Sequence, residues 1–182
     1  MVFSETDPAD ALYITISGRI AIANRSVDGR ESVLDLMDAR ELFGEMAMFD
    51  GKGRSAGARA LETSEVVRIP YEPLREHFET HAKALWSVVG VLLDRLRSAN
   101  ESIADSVFLD VTGRTAKRLL EIAGDQEEFS LPVTQEELAS MIGASRERVN
   151  KAIAAFVRLG WIEQRDRTYR IVDRKRLANR ST

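Results

Sequence analysis

Residues 134–153 read TQEELASMIGASRERVNKAI, and this stretch decides how the C-terminal part of the chain folds. Thr134 and Glu137 stand at the spacing of a capping box, which predicts a helix start. Leu138 and Ile142 form an i, i+4 apolar pair for its inner face, and Ala139 is small where a second helix must cross closely. Gly143 suits a turn that needs positive φ, Ser145 is placed to cap the next helix, and Val149 and Ile153 anchor that helix from below. Together these residues describe a helix-turn-helix. In that motif the second helix presents its first residues to the major groove of duplex DNA. Here they are Arg146, Glu147, Asn150 and Lys151, with Arg148 beside them. Arg pairs with guanine in bidentate fashion, and Glu accepts from a cytosine amino group. The hydroxyls of Thr134 and Ser145, with Gln135 on the same first turn, are placed for phosphates. The plainer alternative is a solvated charged helix face.

The charge around the motif favours the nucleic-acid reading. Residues 132–182 carry 11 Lys+Arg against 6 Asp+Glu, a net of +5, whereas residues 1–131 carry 15 against 23, a net of −8. A basic segment on an acidic body is what a DNA-binding module joined to another domain shows. Beyond the motif, residues 161–172 (WIEQRDRTYRIV) alternate apolar and polar around Arg165, Asp166 and Arg167, which predicts a two-stranded wing whose arginines meet phosphates. Trp161 is read as core.

Further toward the N-terminus, Leu85, Val89, Leu92, Leu96, Ala99 and Ile103 are spaced 4, 3, 4, 3, 4. That is the alternation of a coiled-coil seam and predicts a homodimer through those residues, with Val88 and Leu93 widening the stripe toward the chain's own body. The first half reads as short strands: two runs over residues 11–23 broken at Ser17-Gly18, an Asp28-Gly29 hairpin signal, a strand over residues 32–37, and an apolar run over residues 63–70 closed by Pro70. Strands at this spacing suggest an antiparallel barrel or roll. The 182 residues include no Cys, which excludes disulfides, cysteine-ligated metals and a thiol nucleophile. The longest near-apolar stretch, residues 84–93, is about half of what a membrane span needs, and no leader opens the chain, so a cytoplasmic protein with no membrane partner is expected.

One loop in the strand-rich half carries chemistry. Residues 43–48 (FGEMAM) are followed, after residues 49–53 (FDGKG), by Arg54-Ser55-Ala56. Gly44 permits a tight backbone and the short helical turn after it favours an anion. Arg54, nine residues beyond Glu45, can return its guanidinium over the same spot. One buried cation with backbone donors fits a phosphodiester, and a nearby carboxylate accepts from a ribose hydroxyl. A hairpin holding an Arg–Glu ion pair is the plainer alternative.

The order of these parts resembles the catabolite-activator/fumarate-nitrate-regulator family over nearly the whole chain. FGEMAMFDGKGRSA (residues 43–56) is similar to that family's cyclic-nucleotide phosphate cassette, FLDVTGRTAKRLL (108–120) to the hinge after its dimer helix, and GASRERVNK (143–151) to its recognition helix. The resemblance implies an α+β fold: an antiparallel β-roll of cyclic-nucleotide-binding type over residues 1–80, a long dimerisation helix over 81–109 and a winged helix-turn-helix over 110–182. It implies a DNA-binding transcription regulator of the cAMP-responsive branch, with no metal. Gly44, Glu45, Met46, Arg54 and Ser55 would hold the cyclic nucleotide, Glu45 on the ribose hydroxyl and Arg54 and Ser55 on the phosphate, with Asn100 on the base edge. Arg146, Glu147 and Lys151 would reach bases of a palindromic operator, and RNA polymerase is a further partner. Three features depart from the pattern. Residues 124–131, before the helix-turn-helix, are shorter than the family's usual stretch, so its polymerase-contact surface does not carry over. Ala99 stands where the family has an adenine-contacting hydroxyl, and the residues that usually precede the strand at Tyr13 are few, which leaves open a misassigned start, a trimmed chain or a reduced pocket.

Two rivals remain. A family member that binds DNA without a cyclic nucleotide, or senses another ligand, would keep the roll as scaffold. A metal-binding enzyme would use His77 and His81, an i, i+4 pair, yet no HExxH pattern and no third ligand accompany them.

Overall fold

The computed structural model describes residues 1–25 and 31–181, which form two compact units, residues 1–96 and 97–182, with Thr182 itself outside the described residues. The Asp28-Gly29 hairpin signal also lies outside the described residues.

The first unit is a double-layered antiparallel arrangement. Strands β1 (Ala11–Ser17), β4 (Leu42–Phe43) and β6 (Glu65–Pro70) form one sheet in the order β4-β1-β6. Strands β2 (Ile20–Arg25), β3 (Glu31–Met37) and β5 (Gly57–Ala60) form a second in the order β3-β2-β5. Ser17-Gly18 turns β1 into β2; Gly18 sits at φ +77 and a Cβ there would strike Ser64, so the turn requires glycine on both counts. Alternation sends Ala11 and Tyr13 to one face of β1, where Phe3, Ile20, Met37, Phe43 and Ala58 close a core. The other face buries Leu12 against Ala47, Met48 and Tyr71, with Leu74 and Phe78 packed on it. Both faces of β1 are therefore covered, which is why its run is almost continuously apolar. Helix α1 (Met46–Asp50) follows β4, and α2 (Tyr71–Thr80) starts directly at Pro70, where proline ends the strand.

Helix α3 (Ala82–Phe108) crosses from one unit into the other. The second unit continues with α4 (Val111–Ala123), β7 (Glu128–Ser130), α5 (Gln135–Ile142), α6 (Arg146–Arg158), β8 (Ile162–Arg165), β9 (Thr168–Ile171) and α7 (Arg174–Arg180). Helices α5, α6 and α7 all pack on α4. The expected wing, β8 and β9, is present but belongs to a three-stranded sheet in the order β7-β9-β8, with Phe129 pairing opposite Tyr169. A three-residue strand such as β7 is too short to show a period, and α7 has only Leu177 as a buried apolar anchor.

Candidate functional site

The cassette after β4 is positioned by backbone geometry. Gly44 has φ +74, and a Cβ there would lie 2.8 Å from Nη1 of Arg54 and 3.3 Å from the Phe3 ring. Only glycine therefore lets the chain turn into α1 while the arginine closes over it. Arg54 is 8% exposed. Its Nη1 donates to the Gly44 carbonyl at 2.8 Å and to the Tyr71 hydroxyl at 3.1 Å, its Nη2 donates to the Ala11 carbonyl at 2.8 Å, and its carbon lies 4.1 Å above the Phe3 ring. Nε is buried without a hydrogen-bond partner. A full positive charge is thus held below the surface by neutral acceptors and a π-face, with one donor still unsatisfied. Tyr71 also donates to the Gly44 carbonyl, and burial raises its phenol above the ordinary value while the Arg54 charge opposes that shift.

Glu45 is 3% exposed and is not the partner of Arg54. Its Oε1 accepts from Nη1 of Arg95, on α3, at 2.8 Å. The same guanidinium donates through Nη2 to the Leu42 carbonyl and approaches the Met37 sulfur at 3.3 Å. The Arg54–Glu45 hairpin pair considered from sequence is replaced by two separate arrangements, because Arg54 turns toward the Ala11 and Gly44 carbonyls. In the sequence Arg95 stands only as a charge beside the apolar seam of residues 85–103. Its position three residues beyond Leu92 and seven beyond Val88, on one helix face, is the signal that places it over the roll. Ser55 is exposed and its hydroxyl donates to the Met46 sulfur at 3.4 Å. The structure therefore gathers Gly44, Glu45, Met46, Arg54 and Ser55 around one spot. Asn100 belongs to the second unit and is exposed.

The helix-turn-helix is capped as its residues dictate. The Thr134 hydroxyl accepts from Glu137 N at 3.2 Å while the Glu137 carboxylate accepts from Thr134 N at 2.6 Å. Gly143 sits at φ +68, and the Ser145 hydroxyl accepts from Arg148 N at 3.4 Å. Leu138, Ala139, Ile142, Val149 and Ile153 are all buried. Because each capping hydroxyl accepts a backbone bond, its own proton stays available to donate to a phosphate. On α6, Val149, Ala152, Ile153 and Phe156 face inward, which leaves Arg146, Glu147, Arg148 and Lys151 in solvent. Glu147 pairs with Lys151 at 2.8 Å, and that hydrogen bond, reinforced by the lysine charge, holds its carboxyl below the ordinary glutamate value. Asn150 is half-buried with its Oδ1 enclosed, so it flanks the exposed face. Gln135 is half-buried and hydrogen-bonds the Tyr169 phenol, whose pKa burial raises. In the wing Arg165 is exposed, whereas Nη2 of Arg167 donates to the Leu131 and Val133 carbonyls at 3.1 and 3.3 Å and ties β9 to the motif.

His77 and His81 stack at 4.2 Å, and among the described residues no group of three or more His, Cys, Asp or Glu is gathered for a metal. No helix among the described residues is long and apolar enough to cross a membrane.

A β-roll that buries a cation beside a carboxylate, followed by a long helix and a winged helix-turn-helix with a free basic face, defines a ligand-responsive DNA-binding regulator. Comparison with known proteins agrees. A model of the cyclic nucleotide-binding domain matches residues 1–81 and one of the Crp-like helix-turn-helix domain matches residues 113–180. The chain is 41% identical to the CRP-like cAMP-activated global transcriptional regulator of Mycobacterium tuberculosis, over 99% of this chain and 84% of that protein. Among solved structures it is similar to the c-di-GMP responsive global regulator CLP of Xanthomonas campestris, with a TM-score of 0.79 and 29% identity over 93% of this chain and 88% of that one. FixK2 from Bradyrhizobium japonicum shares the fold at a TM-score of 0.88, with 18% identity over 100% of this chain and 92% of that chain. The chain belongs to the CRP/FNR family of transcription regulators, and its roll is a cyclic nucleotide-binding domain.

Proposed function

We propose that the chain is a homodimeric, cytoplasmic regulator whose affinity for a palindromic DNA operator is set by cAMP held at the cassette of residues 44–55, with RNA polymerase as a further partner. The observation that carries the ligand half is Arg54: a buried guanidinium with neutral acceptors and an unsatisfied Nε, beside a buried carboxylate. The residues fit the group. A cyclic nucleotide supplies, when bound, a singly charged phosphodiester and a free ribose hydroxyl. Arg54 provides the countercharge, Ser55 an exposed hydroxyl donor, and Glu45 an acceptor already oriented by Arg95. Because Arg95 stands on α3, Glu45 links ligand occupancy to that helix, and a ligand that prefers one setting of α3 shifts its population.

Exposure along α3 supports a dimer seam shifted from the one read in the sequence. Leu85, Val88 and Leu92 are buried or half-buried and share the face of Arg95. The exposed ladder runs through Trp86, Val89, Leu93, Leu96, Asn100, Ile103 and Val107, spaced 3, 4, 3, 4, 3, 4, with Val89 half-buried among them. This heptad pattern is the face we assign to the partner copy. It keeps Val89, Leu96 and Ile103 of the seam read from sequence and exchanges Leu85, Leu92 and Ala99 for their neighbours. A helix period near 3.5 fits either ladder, and the pattern of burial favours the second. Two α6 helices one DNA turn apart then read the two half-sites, with Arg146, Glu147 and Lys151 at base edges and Thr134, Ser145, Arg148 and Arg165 at phosphates.

The test is calorimetric titration of the chain with cAMP, cGMP and c-di-GMP, followed by binding to operators selected from a random duplex pool with and without ligand. Heat on cAMP addition and tighter operator binding are expected, with a half-site spacing of about one helical turn. Operator binding that cAMP leaves unchanged would overturn the ligand half and leave a constitutive DNA binder.

A further inference from the structure

The last helix, α7, lies outside both the ligand cassette and the recognition helix, yet it is fastened at both ends of α4. At its start, Nη2 of Arg174 donates to the carbonyl of Gln126, just beyond the end of α4, at 2.9 Å. In the middle Leu177 is fully buried. At its end Arg180 reaches the carboxylate of Asp110, with Nη2 at 2.5 Å from Oδ1 and also bonded to Oδ2. Asp110 is the N-cap of α4, accepting from Gly113 N at 2.8 Å, and it lies in the two-residue link between α3 and α4. The approach is close: a Cβ on Gly113 would stand 3.0 Å from the Arg180 carbonyl oxygen and 3.2 Å from its Nη1. From the other side, Arg114 donates through Nη1 to the Leu109 carbonyl at 2.6 Å and through Nε to the Ile142 carbonyl at 2.9 Å, next to the turn of the helix-turn-helix.

A two-residue link with no other support is a free joint, and rotation at the end of α3 would dissipate there. Tethers on both sides make the end of α3, the cap of α4 and the end of α5 move together. We propose that Arg180 is a positioning residue of the regulator: the C-terminal helix clamps the α3–α4 junction through Asp110, so that a change in α3 is passed to the DNA-reading helices. Arg180 touches neither ligand nor operator in this role. The inference rests on the ligand-gated reading given above, but the clamp is also open to a test that needs no ligand.

The full chain is compared with Arg180→Ala, Arg180→Lys, Asp110→Asn and the double variant Asp110→Asn/Arg180→Ala. Asn caps a helix as well as Asp, so Asp110→Asn removes the charge that Arg180 holds and keeps the cap. Hydrogen exchange without ligand should show amides 110–114 exchanging about tenfold faster in Arg180→Ala, with α5 and α6 still protected. The ratio of operator affinities with and without cAMP should fall about 3- to 10-fold in Arg180→Ala, within the range of ordinary coupling between sites. Asp110→Asn should match it, the double variant should add nothing further, and Arg180→Lys should be intermediate. Cyclic AMP affinity of the DNA-free protein should stay within about twofold, since the cassette is untouched. Unchanged exchange at 110–114, or single-variant effects that add in the double variant, overturns the clamp. A wild-type chain without any cAMP response refutes the ligand reading instead, and the exchange experiment then still decides for or against the clamp.

Discussion

Replacing Arg95 with Met tests how the roll holds α3. The substitution keeps most of the aliphatic stem and removes the guanidinium from Glu45, which is 3% exposed, and from the Leu42 carbonyl. Stranding a buried carboxylate by deleting its partner costs about 3–5 kcal/mol. The Arg95 side chain is 30% exposed, so water can enter where it stood, and a cost below that range, about 2–3 kcal/mol, is expected. Unfolding entropy of about 2 cal/mol/K per residue over the 1–96 unit converts this into a fall of roughly 10–15 °C in the transition of that unit. Differential scanning calorimetry of the full chain reads it, and urea unfolding gives the free energy independently. The double variant Glu45→Gln/Arg95→Met should be destabilised by only about 1 kcal/mol, since no charge is stranded and only the Leu42 carbonyl loses its donor. With Glu45→Gln alone costing about 0.5 kcal/mol, a coupling of roughly 2 kcal/mol between the two sites follows. If Arg95→Met moves the transition by less than about 2 °C, or if the single costs simply add, Arg95 is a surface residue and does not anchor α3 through Glu45.

Three further outcomes follow from the same geometry. Gly44→Ala forces a Cβ to within 2.8 Å of Arg54 Nη1 at a φ of +74, so calorimetry should show both a loss of about 1–3 kcal/mol in stability and a cAMP affinity reduced more than tenfold. Leu96→Glu/Ile103→Glu places charges on the exposed ladder of α3, and sedimentation should find monomers whose operator affinity is lost, whereas Ala99→Glu, off that ladder, should remain dimeric. The Asp110 carboxyl is held below the usual carboxylate range, first by the Gly113 N–H and then by Arg180 despite some opposing desolvation. A depressed folded pKa contributes stability that is complete above the unfolded value near 4 and disappears as pH falls through the lower folded value. Arg180→Ala should therefore shrink the acid-side loss of stability below about pH 4, measured by urea unfolding from pH 6 to pH 2, while leaving the slope above pH 5 unchanged.

The helix-turn-helix was legible residue by residue because every cue in it is local. Thr134 with Glu137, Gly143, and Ser145 satisfy or bend backbone within three or four residues of themselves, so their spacing is enough to place both helices. The strands around Ser17-Gly18 and the break at Pro70 were legible for the same reason. The cassette was legible as a set of residue types. Arg54 closes on Gly44 and Ser55 on Met46, while Glu45 turns to Arg95, and the pattern carried no information on which acceptor each cation would find.

Partners distant in sequence were settled by tertiary packing alone. Arg54 faces Ala11 and Tyr71, 43 and 17 positions away, and Glu45 takes Arg95, 50 positions on. Which of two overlapping ladders on α3 is left bare also depended on what the rest of the molecule covers, since Leu85, Val88 and Leu92 are withdrawn from solvent while Leu93 and Leu96 are not. The clamp of α7 on Asp110 spans 70 positions. Local hydrogen-bonding demands act within one or two turns of chain and so are written in the sequence order. The pairing of buried charges is decided by which side chains folding brings within about 3 Å, and no spacing rule along the chain encodes that.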